Sequence, residues 1–191
     1  MNDLLFADVP EVYEKIRSAT DELKFNMASD LQTGSLLKTL VASKPWGRFL
    51  ELGTGTGLAT SWIVSGMDEN SSLISIDNNK SLMDVAEGHI QDARIEFIVA
   101  DGYEWISKYS GSKFDLIFAD AMPGKYDLFE ETISMLDRNG FYIIDDMLPQ
   151  PNWPVGHDER VKEFIAKLEN RDDILLTKLN WSTGIIIVVK K

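Results

Sequence analysis

Beyond about residue 45 the chain settles into a rhythm of short apolar runs, each followed by a longer stretch with apolar residues at helical spacing. The runs are RFLEL (48–52), SLISID (72–77), RIEFIVAD (94–101), FDLIFAD (114–120) and FYIIDD (141–146). Strands alternating with helices predict a parallel sheet with crossover helices on its faces. Two further runs, DILLTKL (173–179) and GIIIVVKK (184–191), are joined by a short connection and predict an antiparallel, hairpin-like end to that sheet. Between the fifth and sixth runs, DERVKEFIAKLEN (158–170) places Val161, Phe164, Ile165 and Leu168 on one helix face. Ahead of the first run, PEVYEKIRSATDELKFN and GSLLKTLVASK predict helices packed beside the sheet. The expected architecture is a doubly wound α/β sandwich, with a mainly parallel seven-stranded sheet, an antiparallel C-terminal strand, and residues 1–191 as one domain.

The polar positions are informative where the apolar runs stop. The first five strands end at Gly53, Asp77, Asp101, Asp120 and Asp145. A lone acidic strand end is commonly a helix cap or a solvated turn. Four aspartates and a glycine at the strand ends of one sheet edge exceed what solvation requires, and open α/β sheets bind ligands at that edge. The first turn, ELGTGTGLATSWI, carries Gly53, Gly55 and Gly57, which permit a tight turn and close backbone approach to a ligand. The helix that follows points its unpaired N–H groups at the same place. Asp77, 24 residues past Gly53, stands where a carboxylate can accept from ribose hydroxyls. These features suit any adenosine-containing cofactor. The G-x-G-x-G spacing and Glu51, two residues ahead of the first glycine, favour S-adenosylmethionine over NAD, because a carboxylate there suits a cation and would repel a pyrophosphate.

At these residues the chain resembles the class I S-adenosylmethionine-dependent O-methyltransferases, of the catechol and caffeoyl-CoA type, from MASDLQTGSLL to the final strand. The resemblance implies a Rossmann-like methyltransferase fold and methyl transfer to a hydroxyl oxygen of a small molecule. LELGTGTG resembles the family's cofactor loop, SIDNN (Asp77, Asn78) its ribose-binding strand end, and VADGYEWI (Asp101, Gly102) its adenine-side segment. Ser29 and Gly34 fall on positions that border the cofactor's methionine end or the metal site. In that family a divalent metal is held by an Asp after the fourth strand and an Asp-Asn pair after the fifth. Asp120, Asp145 and Asp146 match those positions, and their all-oxygen character suits Mg²⁺, Ca²⁺ or Mn²⁺. Two departures stand out: Asp146 replaces the usual Asn, and the family's D-x-x-K-x-x-Y becomes Asp120, Pro123, Lys125 and Tyr126, with the lysine two positions later. The resemblance makes Lys125 the candidate general base, beside Asp120, and a homodimer the expected assembly.

Composition narrows the alternatives. There is no cysteine, so there is no thiolate metal site or cysteine nucleophile. A formal net charge of −12, with no Lys/Arg-rich stretch, argues against nucleic acid as a partner. The longest clean apolar run, IIIVV, is too short to span a bilayer, and the N-terminus does not read as a signal peptide, so the expected location is cytoplasmic. Apart from the resemblance, Asp145 and Asp146 read as loop caps and Lys125 as a solvated surface lysine. By the same token His157 reads as a helix or loop residue, with a catalytic base the minority reading. Trp153 either packs down or lines a substrate pocket, since the loop 147–157 is expected to help shape the acceptor site. The rival functions are a metal-independent methyltransferase of the same fold, a dinucleotide-dependent dehydrogenase, and a non-catalytic S-adenosylmethionine-binding protein.

Overall fold

A computed structural model of the chain describes Asn2, Phe6 and residues 8–191. Two helices, α1 (Tyr13–Glu22) and α2 (Leu31–Ala42), precede an alternation of strand and helix. The alternation runs β1 (Arg48–Leu52), α3 (Leu58–Gly66), β2 (Ser72–Asp77), α4 (Lys80–His89), β3 (Ile95–Val99), α5 (Gly102–Lys108) and β4 (Phe114–Ala119). A short turn, α6 (Met122–Lys125), and α7 (Phe129–Ser134) lead to β5 (Leu136–Ile144), and α8 (His157–Glu169), β6 (Ile174–Leu179) and β7 (Ile185–Lys190) close the chain.

The seven strands form one sheet in the order β3-β2-β1-β4-β5-β7-β6. The first five pair in parallel, while β7 inserts antiparallel between β5 and β6. The predicted mainly parallel sheet with an antiparallel end is therefore present. Its strand order reverses direction between β1 and β4, the position at which a doubly wound sheet opens a crevice at its carboxyl edge.

Side-chain alternation sorts the core into two layers. Leu50 and Leu52 of β1, Ile117 of β4 and Ile144 of β5 pack with Phe129 of α7 and with Phe164 and Leu168 of α8. On the other face Phe49, Leu116, Phe118 and Ile143 meet Leu37 and Val41 of α2 and Ile63 of α3. Each such buried side chain contributes about 1.5–3 kcal/mol of transfer free energy, so the central strands hold the carboxyl edge rigidly. Glu51 falls on the α3 face, where its period-2 position forces a carboxylate into the core.

Sequence boundaries and structure differ most at β5. The run predicted from Phe141 begins five residues earlier, because Leu136 is fully buried and pairs with Phe114 across a register shift. Asn139 takes a positive φ of 62° within it, so DRNG looks like a turn locally yet stays in the sheet. Among the described residues no helix is long and apolar enough to cross a membrane.

Candidate active site

The glycine turn after β1 is built by backbone conformations that only glycine adopts easily. Gly53 and Gly57 have φ of 103° and 94°. A Cβ on Gly53 would lie 2.7 Å from the Asp120 carbonyl oxygen, and one on Gly57 the same distance from the Ala86 Cβ. Gly55 donates its N–H to Asp77 Oδ2 at 2.8 Å, and Asn79 donates to Asp77 Oδ1 at 2.8 Å. Asp77 thus ties the loop after β1 to the loop after β2, and a carboxylate keeps further lone pairs for a ligand hydroxyl. Asp101 caps α5 by accepting from the Glu104 N–H at 3.0 Å.

Glu51 lies beneath this turn, fully buried. Its Oε2 accepts from Thr60 Oγ1 at 2.6 Å and from Ser75 Oγ, while Oε1 has no partner among the described residues. Burial pushes its carboxyl up to about 7. A buried carboxylate with one unpaired oxygen directly under a ligand-binding turn is unusual for a purely structural position. The glycine turn, Asp77 and this carboxyl, which a cation above it would ionise, together fit a cofactor that couples an adenosine to a cationic centre.

A cavity of about 980 Å³ runs from the glycine turn across the ends of β4 and β5. Gly53, Gly55, Asp77, Asn78, Asp101 and Gly102 line one end, and Ser29 and Asp120 stand on the wall between the ends. Lys125, Tyr126, Asp145, Asp146, Trp153 and His157 line the other. Three expected cofactor residues do not line it. Gly34 is a packing glycine, where a Cβ would overlap the Trp62 ring at 2.3 Å. Gly57 packs on α4, and Glu51 sits one layer below.

Lys125, which the resemblance makes the candidate general base, lines the cavity. It is not a solvated surface lysine but only 5% exposed. The turn after β4 puts it there: Gly124 has a φ of 85°, its N–H donates to the Asp127 carbonyl at 2.7 Å, and its own carbonyl accepts from the Tyr142 hydroxyl. Asp127 is anchored in turn by Arg160 at 2.6 Å and by the Tyr103 hydroxyl at 2.9 Å. The lysine Nζ ends 4.0 Å from Asp146 Oδ2.

The carboxylates around it are strongly perturbed. Asp120 is pushed well above the usual carboxylate range by burial and by the neighbouring Asp145, with Lys125 acting in the opposite sense. Burial raises Asp145 to about 6, against the opposing hydrogen bond from Thr183. Asp145 Oδ1 accepts from the Thr183 hydroxyl at 2.6 Å and from the Asp146 N–H at 2.8 Å. Asp146 itself has a φ of 57°. As they stand, the three aspartates do not compose a ligand set. Among the described residues no three His, Cys, Asp or Glu side chains are grouped to hold a metal ion, and one oxygen of Asp145 is already used twice. The residues present do not fit the divalent metal that the sequence led us to expect.

An aromatic wall completes this end. Tyr126 and His157 approach with Oη and Nε2 3.3 Å apart, and the Trp153 ring packs on His157 with centroids 4.6 Å apart. Burial raises the Tyr126 hydroxyl to about 12. His157 is shifted the other way: burial, Lys125 and Arg160 hold its imidazole below the ordinary value and favour the neutral form. The sequence placed Trp153 and His157 in a loop, 147–157, expected to shape the acceptor pocket, with a base as the minority reading of His157. It gave no hint of Thr183, which arrives from the β6–β7 connection. The one usable signal was the tryptophan flanked by prolines in a loop after a strand end.

Comparison with known proteins agrees with this geometry. The sequence profile of the methyltransferase domain family matches residues 50–147, the stretch from the glycine turn to the pair after β5. A catechol O-methyltransferase of Mycobacterium tuberculosis is 24% identical over 150 residues, which are 76% of this chain and 68% of that protein. Other mycobacterial relatives are matched over 52% of their length. Among solved structures, the O-methyltransferase TomG of Streptomyces achromogenes, involved in tomaymycin synthesis and bound to S-adenosylmethionine, superposes with a TM-score of 0.82. It is 21% identical, with 98% of this chain and 92% of that one covered. The O-methyltransferase of Bacillus cereus in complex with S-adenosylhomocysteine gives a TM-score of 0.82 at 19% identity, covering 98% and 93%. With half of its length on the family profile and its fold shared with these structures, the chain belongs to the methyltransferase domain family.

Proposed function

We propose that the protein transfers the methyl group of S-adenosylmethionine to a hydroxyl oxygen of a small molecule. The observation that carries this reading is one continuous cavity, whose glycine-and-Asp77 end and whose Lys125–Tyr126–His157 end meet at Asp120. The names of the relatives support oxygen as the acceptor atom. S-adenosylmethionine supplies a methyl on a sulfonium; the carbon–sulfur bond breaks with its electron pair kept by sulfur, and a carbon–oxygen bond forms.

The chain's own residues do the rest. The turn at Gly53 and Gly55 and the Asp77 carboxylate position the adenosine, and Glu51 beneath the turn favours the cationic cofactor over its neutral product. The Lys125 ammonium, a donor with no lone pair, steadies the acceptor oxygen as charge develops on it. The proton lost from that hydroxyl passes to the neutral His157 imidazole on the cavity wall. Tyr126 and Trp153 orient that imidazole and give a planar acceptor an apolar surface to lie against. Catalysis of this kind rests on orientation and electrostatics.

Calorimetric or thermal titration with S-adenosylhomocysteine and with NAD tests the cofactor half. The thioether product at 100 times its dissociation constant should stabilise the fold by about 2.7 kcal/mol, and NAD should do nothing. Gly55→Val should abolish the shift, since Gly55 has a φ of 52° and a Cβ there would lie 3.1 Å from the Phe25 ring. Stabilisation by NAD alone contradicts the reading.

A further inference from the structure

The acceptor end and the wall leading to it carry three carboxyl groups, Asp120, Asp145 and Asp146, and the fold places one ammonium among them. Lys125 would be solvated by default; here it is 5% exposed on the cavity wall, with Nζ 4.0 Å from Asp146 Oδ2. Burying an ammonium is costly unless it is paired. Its burial depends on the left-handed turn at Gly124, where a Cβ would strike Leu52 at 2.4 Å, and on the Tyr142 hydroxyl that holds the Gly124 carbonyl. Tyr142 is itself fully buried in the sheet, so the lysine is clamped from the core outward. Meanwhile Asp145 gives one oxygen to Thr183 and to the Asp146 N–H, and no three acidic or imidazole side chains among the described residues gather around a metal-sized point. A divalent ion needs several oxygens at about 2.0–2.6 Å, and it would have to share this pocket with a resident cation that cannot withdraw into solvent.

We propose that Lys125 is the permanent cation of this site, balancing Asp120, Asp145 and Asp146 in place of a divalent metal, so that methyl transfer here needs no added metal ion. The inference rests on the O-methyltransfer reading above and specifies how that site stabilises its acceptor oxyanion. The lysine shifted two positions from its usual place and the aspartate at position 146 then become one change: a relocated cation and the added carboxylate that pairs with it.

The test is isothermal titration of chelator-treated protein with Mn²⁺ and Mg²⁺, each with and without S-adenosylhomocysteine. The wild type should show no saturable metal binding at about millimolar concentration. Lys125→Met should acquire Mn²⁺ binding, because its three carboxylates have lost their cation, and Asp145→Ala in that background should remove it. Saturable Mn²⁺ binding by the wild type that Asp145→Ala abolishes overturns the proposal. So does a Lys125→Met protein that still binds S-adenosylhomocysteine yet ignores Mn²⁺. If Lys125→Met fails to fold, Lys125→Gln replaces it, and the wild-type titration decides without either variant. Failure of the wild type to bind S-adenosylhomocysteine sinks the methyl-transfer reading instead, a result that the metal titrations cannot produce.

Discussion

At the scale of single residues the chemistry is concentrated in groups that a soluble fold ordinarily avoids: a buried glutamate, a buried lysine and two adjacent aspartates. Glu51 makes the clearest prediction. Its folded carboxyl is raised from 4.5 to about 7, so between those values the unfolded chain releases a proton that the folded chain keeps. The stabilising contribution is complete below about pH 4.5 and is lost as pH rises through about 7. Denaturant unfolding at pH 5 and pH 8 should show Glu51→Gln gaining on the wild type only at the higher pH, by about 3 kcal/mol at most. An equal effect at both values would mean that the carboxyl is not shifted. His157 carries the second prediction. With its imidazole held below the ordinary 6.5, turnover should fall only on the acid side of that value. His157→Asn should erase that limb and cost about 10²-fold or more in kcat; an unchanged acid limb assigns the proton to another group. The aspartates and glycines of this site were legible in the sequence because charge and missing side chains are conspicuous at strand ends. The depth of Lys125 was not, because a lysine's burial is set by the turn that carries it and by Tyr142 from another strand.

At the scale of elements, short connections rather than helices and strands decide what the site can do. The strands were readable because buried parallel strands are nearly continuous apolar runs, and β1 and β2 begin and end where the pattern places them. The start of β5 was missed because its first residues carry turn chemistry, and only pairing with β4 overrides it. The turn after β4 matters most. Gly124→Ala adds a side chain at positive φ against Leu52, which should cost about 1–2 kcal/mol from the backbone alone and more from the overlap. It should also swing Lys125 out of the cavity. Unfolding midpoints should drop and turnover should fall, while S-adenosylhomocysteine affinity stays within about threefold, since other loops build that end. Equal loss of cofactor binding would mean that the turn supports the whole cavity.

At the scale of the whole molecule, a twisted sheet whose strand order reverses between β1 and β4 brings distant loops to one edge. That is why a glycine turn near residue 55, an aspartate near 77 and a lysine near 125 share one cavity with a threonine from the last connection. The family profile stops at residue 147 and so leaves out the aromatic wall at Trp153 and His157, where acceptor choice is expected to lie. The account's central claim is methyl transfer to oxygen in this cavity. Its most direct test is incubation of chelator-treated protein with methyl-labelled S-adenosylmethionine and a panel of catechols, other phenols and vicinal diols, followed by locating the label. The account predicts label on a hydroxyl oxygen of at least one planar acceptor, lost in Lys125→Met. Label on nitrogen or carbon, or tight cofactor binding with no transfer across the panel, would contradict it.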